Sequence, residues 1–181
     1  MMRALGVVFA VSLSTGCGEL PSVEGLANKD NTVFDAAFVG SWNAGDAVII
    51  VQAGEEKSYR IHWLGTDGNK DTPELVRMEG RLVRLGEQRI LDLNAAEPSA
   101  FSVPCHVFLR IRPVKDGLKV QFVDSKWIRE QAKSSGLASF VSDGHPVLTV
   151  PAAQLSAFLV KFGFDERAVD EGMMFRPMKQ K

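Results

Sequence analysis

Hydrophobic positions change their period twice along this chain. Ala4 to Leu13 is an almost unbroken apolar run with no polar alternation. From Phe38 onward apolar and polar residues alternate with period two, which places successive side chains on opposite faces of strands. Val39–Trp42, Ala47–Gln52, Tyr59–Trp63, Leu75–Met78, Leu82–Leu85 and Ile90–Leu93 each read as a strand. Asp67-Gly68 and Gly86-Glu87 mark turns, and the proline- and serine-bearing stretch from Ala95 to Pro104 reads as a loop. Cys105–Arg112 has the clearest alternation: Cys105, Val107, Leu109 and Ile111 on one face, His106, Phe108, Arg110 and Arg112 on the other. Leu118–Val123 returns from it after Lys115-Asp116-Gly117, predicting a hairpin.

The period then lengthens. Asp124 or Ser125 caps a helix to about Ser134, with Gly136 as its stop. Val147–Val150 reads as a strand by itself. Pro151 opens a second helix, whose Leu155, Phe158, Leu159 and Phe162 fall on one core-facing stripe. Asp165 and Gly172 bracket a short third helix, and Met173–Arg176 reads as a closing strand. The fold class expected is mainly β: a single antiparallel barrel-like or strongly curved sheet, with two or three short helices in the C-terminal third. Bulk on both faces, as in Phe108 beside Val107, predicts helices covering part of the sheet.

The leading apolar run is too short to span a bilayer, which takes roughly 20 apolar residues, but suits a secretory signal of about 7–15. It ends in Leu13-Ser14-Thr15-Gly16-Cys17. Small residues leading into a cysteine resemble the lipobox of bacterial lipoproteins. The resemblance implies cleavage before Cys17 and attachment of lipid to its thiol. Residues 1–16 are then a signal peptide, 17–33 a lipid-anchored tether and 34–181 one β-rich globular domain. A tether from Gly18 to Val33 extends to roughly 50 Å at about 3.3–3.6 Å per residue, holding the domain off the membrane.

Composition narrows the classes further. The 21 basic and 22 acidic residues leave no basic surplus, so nucleic acid is not an expected partner. With 2 cysteines and one of them acylated, Cys105 has no partner for a disulfide and is expected to pack as a small hydrophobe.

Gly40-Ser41-Trp42 follows a stretch, Phe34 to Phe38, that can form a helical turn. It resembles the G-x-W signature of lipocalins, in which the Trp closes one barrel end and a late Arg packs over its ring. Trp42 and Arg176 would be that pair. The wider pattern is similar to a group of uncharacterised bacterial secreted proteins and lipoproteins. It runs from Phe38–Trp42, Tyr59 and Asp67-Gly68 through Leu82–Gly86 and Leu91–Leu93 to His106–Arg110 and Leu155–Leu159. That resemblance carries no activity with it.

Candidate chemistry is sparse. His62, His106 and His145 stand in separate segments without metal-ligand spacing, so neither metal nor cofactor is expected. Cys105 and His106 point to opposite faces of one strand and cannot pair as nucleophile and base. No G-x-S-x-G elbow or phosphate-binding glycine loop is present. Asp92 and Asp124 read as strand-end carboxylates with turn or capping duty. Arg110 and Arg112 share a face with His106, either as structural ion pairs or as a stripe for an anion. Tyr59, Ile61 and Trp63 are either core or the lining of a ligand cavity.

The expectation is therefore a cell-envelope lipoprotein, held by its lipid on an extracytoplasmic membrane face. It acts as a non-catalytic lipocalin-like module for a small apolar ligand. The alternative is a solid-core structural protein that meets another envelope protein. An enzyme would reveal itself by a cleft gathering His, Asp, Ser or Arg side chains.

Overall fold

The computed structural model describes residues 21–65, 73–96, 105–142, 145–163, 166–169 and 171–178. Cys17, the Asp67-Gly68 turn and most of the Ala95–Pro104 loop lie outside them.

Strand β1 (Thr32–Val33) precedes a turn of 3-10 helix (Ala36–Phe38). Then come β2 (Gly40–Ala44), β3 (Ala47–Ala53), β4 (Ser58–Gly65), β5 (Glu74–Leu85), β6 (Gln88–Ala95), β7 (His106–Val114) and β8 (Gly117–Phe122). Helix α1 (Ser125–Ser134), strands β9 (Ser139–Ser142) and β10 (His145–Leu148), helix α2 (Ala152–Phe158) and β11 (Met173–Pro177) complete the chain. β2 to β8 form an antiparallel meander, and β11 inserts between β8 and β2 to close an eight-stranded barrel. The predicted antiparallel barrel with short C-terminal helices is the fold the chain adopts.

Closure leaves no free edge on the barrel. It also demands close backbone approach at the last seam. Gly117 opens β8 with φ +147°, and a Cβ there would lie 2.0 Å from the Phe175 carbonyl oxygen on β11. Gly117→Ala is expected to lower stability by about 2 kcal/mol through strained backbone and a widened seam. Hydrogen exchange at Leu118 and Phe175 should accelerate more than at β4; an unchanged urea midpoint would refute this.

Three elements differ from the sequence pattern. Leu75–Met78 and Leu82–Leu85 are not separate strands but parts of one strand of 12 residues, β5. Gly80 lies between them and faces inward. A Cβ there would come within 2.9 Å of Leu93 and 3.1 Å of Ile61, so the glycine lets the strand curve around the barrel instead of ending it. The region near Val147 is not a lone strand either, because β9 pairs with β10 from Ser139↔Leu148 to Ser142↔His145. In place of the third helix, the described residues show a 3-10 turn at Glu166–Ala168. Helix α1 is as expected: Asp124 caps it, accepting from the Trp127 N–H at 2.6 Å, and Gly136 follows with φ +66°.

There are two apolar cores. Inside the barrel, Trp42, Ile49, Tyr59, Ile61, Leu82, Leu91, Leu109, Val120 and Phe175 are buried against one another. Outside it, α1, α2 and the chain after α2 cover the wall formed by β5, β6 and β7, burying Val83, Ile90, Phe108, Ile128, Leu155 and Phe158. That cover explains the bulk on both faces of β7.

The tether expectation needs correction from Pro21 onward. Ser22 and Leu26 are fully buried, and Thr32–Val33 pairs with Leu82–Val83 of β5. Ser22 bonds His106 through backbone, and the Val23 N–H donates to the Leu148 carbonyl at 3.0 Å. The segment's backbone bonds the barrel wall while its Asn and Thr side chains bond within the segment, so its polar composition does not make it free in solvent. It is a strap, not a tether.

Candidate functional site

Strand register assembles a polar floor on the outer wall. Ser58, Arg81, Asp92 and Phe108 form one row of neighbours across β4, β5, β6 and β7. Arg60, Glu79, Asn94 and His106 form the next row. His106 is therefore one diagonal step from Asp92, within side-chain reach on a twisted sheet.

That step is closed by a hydrogen bond. His106 Nδ1 donates to Asp92 Oδ1 at 2.6 Å. Asp92 Oδ2 accepts from the backbone N–H groups of Leu26 at 2.7 Å and Ala27 at 3.2 Å. The carboxylate is thus shared between the imidazole and the strap, and it is only 3% exposed. Gly25 crosses directly above: a Cβ there would lie 2.7 Å from His106 Cε1 and 2.9 Å from Asp92 Oδ2. Only a glycine lets the strap approach this closely.

The hydrogen bond to Asp92 pushes the His106 pKa above its usual value. The charges of Asp92 and Glu24 act in the same direction, while burial and Arg81 oppose them. With Nδ1 committed, Nε2 is the atom left for a ligand, since the only side-chain hydrogen bond of His106 among the described residues is to Asp92.

Around this pair lies a cleft of about 270 Å³. Ser58, Glu79, Arg81, Asp92, Asn94 and His106 line it from the barrel, and Glu24, Gly25 and Ala27 from the strap. A second cavity, of about 10 Å³, lies between the wall and the helices and is lined by Phe108, Ile128, Leu148 and Leu155 among others.

The other sequence candidates have different duties. Tyr59 and Ile61 are buried in the barrel interior, and the half-buried Trp63 packs edge-on to Phe175 at 6.4 Å. None of the three lines either cavity. Trp42 faces inward at one barrel end, and its indole N–H donates to the Phe38 carbonyl of the 3-10 turn at 3.0 Å. Arg176 is exposed and sits opposite Asn43, also exposed, so strand alternation puts it on the outer face. The expected Trp42–Arg176 stack is therefore not formed. Arg110 is buried, with Nε and Nη2 donating to Gln121 Oε1 at 3.1 and 2.8 Å and Nη2 to Glu166 at 3.2 Å. It is a structural ion-pair residue, with Arg112 3.7 Å from the same glutamate. His62 lies half-buried on β4. Burial pushes the Cys105 thiol pKa up, which suits the expected inert packing role. Among the described residues no cluster of three or more His, Cys, Asp or Glu side chains is placed to hold a metal ion.

Asp92 is the residue that sequence patterning misassigned. It stands mid-strand in β6, not at a strand end, because β6 continues to Ala95. Period-two counting does place Asp92 and Asn94 on one face. The Gly25 strap has no such signal. No family model, curated protein or solved structure matches the chain.

Proposed function

We propose that the protein is a cell-envelope lipoprotein, held by Cys17 on an extracytoplasmic membrane face, that works as a non-catalytic lipocalin-like binding module. Its ligand is met on the outer wall, in the cleft above His106, and not inside the barrel. One observation carries this reading: the interior is filled with packed side chains, whereas the roomy cleft is polar and holds a pre-oriented imidazole. Such a cleft suits a small polar molecule offering an acceptor to His106 Nε2 and donors to Glu24 and Glu79, with Asn94 and Arg81 beside it. The apolar ligand expected from the lipocalin resemblance finds less support here.

Native mass spectrometry of gently solubilised protein tests the reading. A small polar mass should co-purify with wild type and be lost in His106→Ala. A bound lipid that survives His106→Ala would instead place the ligand in the barrel and overturn the cleft. The anchor is tested separately: Cys17→Ser should abolish lipid labelling and release the protein from membranes.

A second reading has its own support. Ser58, Arg81, Asp92 and His106 line one cleft, and an Asp-oriented imidazole is the arrangement used for general acid–base work. Turnover of a supplied small ester that is lost in His106→Ala would favour proton-transfer chemistry over binding alone.

A further inference from the structure

Strand register lays three cleft residues side by side. Glu79 on β5 stands opposite Asn94 on β6, and Asn94 stands opposite His106 on β7. All three line the cleft. At about 4.8 Å between neighbouring strands, the row runs about 10 Å from Glu79 to His106. In order it offers a carboxylate, an amide and, on the charged imidazole, the Nε2 N–H. None of these groups is spent within the fold. Among the described residues the Glu79 and Asn94 side chains make no hydrogen bond or ion pair, and His106 commits Nδ1 alone.

Charge and size narrow what can lie there. Glu24, Glu79 and Asp92 outnumber Arg81 and His106 around the cleft, so a bare anion is disfavoured. A molecule that brings its own positive charge along with an acceptor is not. At about 270 Å³ the cleft falls just below the roughly 300–1,000 Å³ of pockets for drug-sized ligands. Gly25, Ala27 and Ala152 supply its small apolar walls, and among the described residues no aromatic ring lines it. It offers no platform for a stacked base and no recess for a bulky side chain.

We propose that the ligand is a free dipeptide of small residues, lying across the row with its ammonium on Glu79, its peptide group on Asn94 and its carboxylate on His106. This names the ligand class of the cleft already read as the binding site, and depends on that reading. The length fits. Two extended residues cover about 7 Å, and hydrogen bonds slanting to the two end side chains make up the rest. A single amino acid, at about 3.5 Å, cannot reach both ends. The middle fits as well: the Asn94 amide has one acceptor and one donor group, the complement of a single peptide unit. Nearby, Arg81 stands opposite Asn94's neighbour Asp92, whose two oxygens already accept from His106 and the strap.

Isothermal titration calorimetry on gently solubilised full-length protein tests this with L-alanyl-L-alanine, its N-acetyl derivative and its C-terminal amide. At about pH 6 both termini of the dipeptide are ionised and His106 is mainly charged. The dipeptide should bind at least about tenfold more tightly than either blocked form, since each block removes a hydrogen bond between charged groups. Glu79 is exposed, so Glu79→Gln spares the fold. It should weaken the dipeptide about tenfold and leave the N-acetyl form within about twofold. His106→Asn keeps a donor for Asp92, removes Nε2 and should abolish the preference for a free carboxylate. Equal binding of all three probes, each weakened by His106→Asn, overturns the dipeptide and leaves the cleft standing. No heat from the dipeptide at millimolar concentration also overturns the dipeptide, and the co-purifying polar mass then decides the cleft. Dipeptide binding that His106→Asn leaves unchanged overturns both.

Discussion

Asp92→Ala is expected to destabilise the folded protein by about 3–4 kcal/mol, measured as a shift of the urea midpoint with unchanged slope. The carboxylate has three partners: the His106 imidazole and the backbone N–H groups of Leu26 and Ala27. Removing a buried acceptor leaves donors that have lost both water and partner, at about 1–3 kcal/mol each for those that stay dry. Leu26 is fully buried, so its N–H bears this cost in full. The His106 side chain is 27% exposed and can recover some hydration, which keeps the total below a simple sum. The loss should be local first. Hydrogen exchange along Ser22–Ala27 should rise before exchange in the barrel strands. A midpoint within about 0.5 kcal/mol of wild type would show that the strap is held by its backbone bonds alone.

The same pair makes stability depend on pH, with a definite sign. The folded protein raises the His106 pKa above its unfolded value of about 6.5, chiefly through the bond to Asp92. Between those two values the native state binds more protons than the unfolded state, so stability falls as pH rises. The contribution is complete below about pH 6.5 and disappears as pH climbs through the folded value. The stability difference between wild type and Asp92→Asn should therefore shrink with rising pH over that window. A difference that stays flat from pH 6 to 9 would remove His106 from the account.

Strand patterning reached the barrel because each wall strand has one face buried in a common interior. A period-two signal survives wherever burial is one-sided, as along β3 and β4. It misread β5 because Gly80 looks like punctuation when counted along the chain. Around a closed barrel the same glycine is the place where curvature brings Leu93, Ile61 and Leu91 together. The cleft was less legible. Asp92, Asn94 and His106 each carry a readable face, but their meeting depends on which residues stand opposite across β6 and β7. Register of that kind is set by turn and closure geometry, not by composition. The strap was misread for another reason. A polar, glycine-bearing segment has the composition of a linker, yet its backbone donors find Asp92 and Leu148 more than 60 residues away.

Tyr59→Ala is expected to cost about 3–5 kcal/mol, the range for deleting a fully buried aromatic side chain. The ring is 0% exposed and sits between two others, stacked on Phe34 at 5.2 Å and edge-on to Phe38 at 5.1 Å. Its hydroxyl accepts from the Asp35 N–H at 2.7 Å and donates to the Asp35 carbonyl at 3.3 Å. Asp35 in turn caps the 3-10 turn through Ala37 and meets Arg89 at 2.5 Å. Tyr59 is thus the pillar on which the 34–38 plug stands, and Trp42 is tied to the same plug through Phe38. Two variants separate the parts. Tyr59→Phe keeps the ring and takes the hydroxyl partner from both the Asp35 amide and the Asp35 carbonyl, for about 1–2 kcal/mol. The remainder of the alanine effect belongs to the ring, whose loss opens a cavity at the barrel end. This result also decides between two roles for the residue. A side chain lining a ligand cavity would give under about 1 kcal/mol in the ligand-free protein, because no packed neighbours depend on it. A large loss in both ligand-free and native-purified protein places Tyr59 in the packed core. That result would agree with the proposed cleft on the outer wall, where Asp92 and His106 stand together.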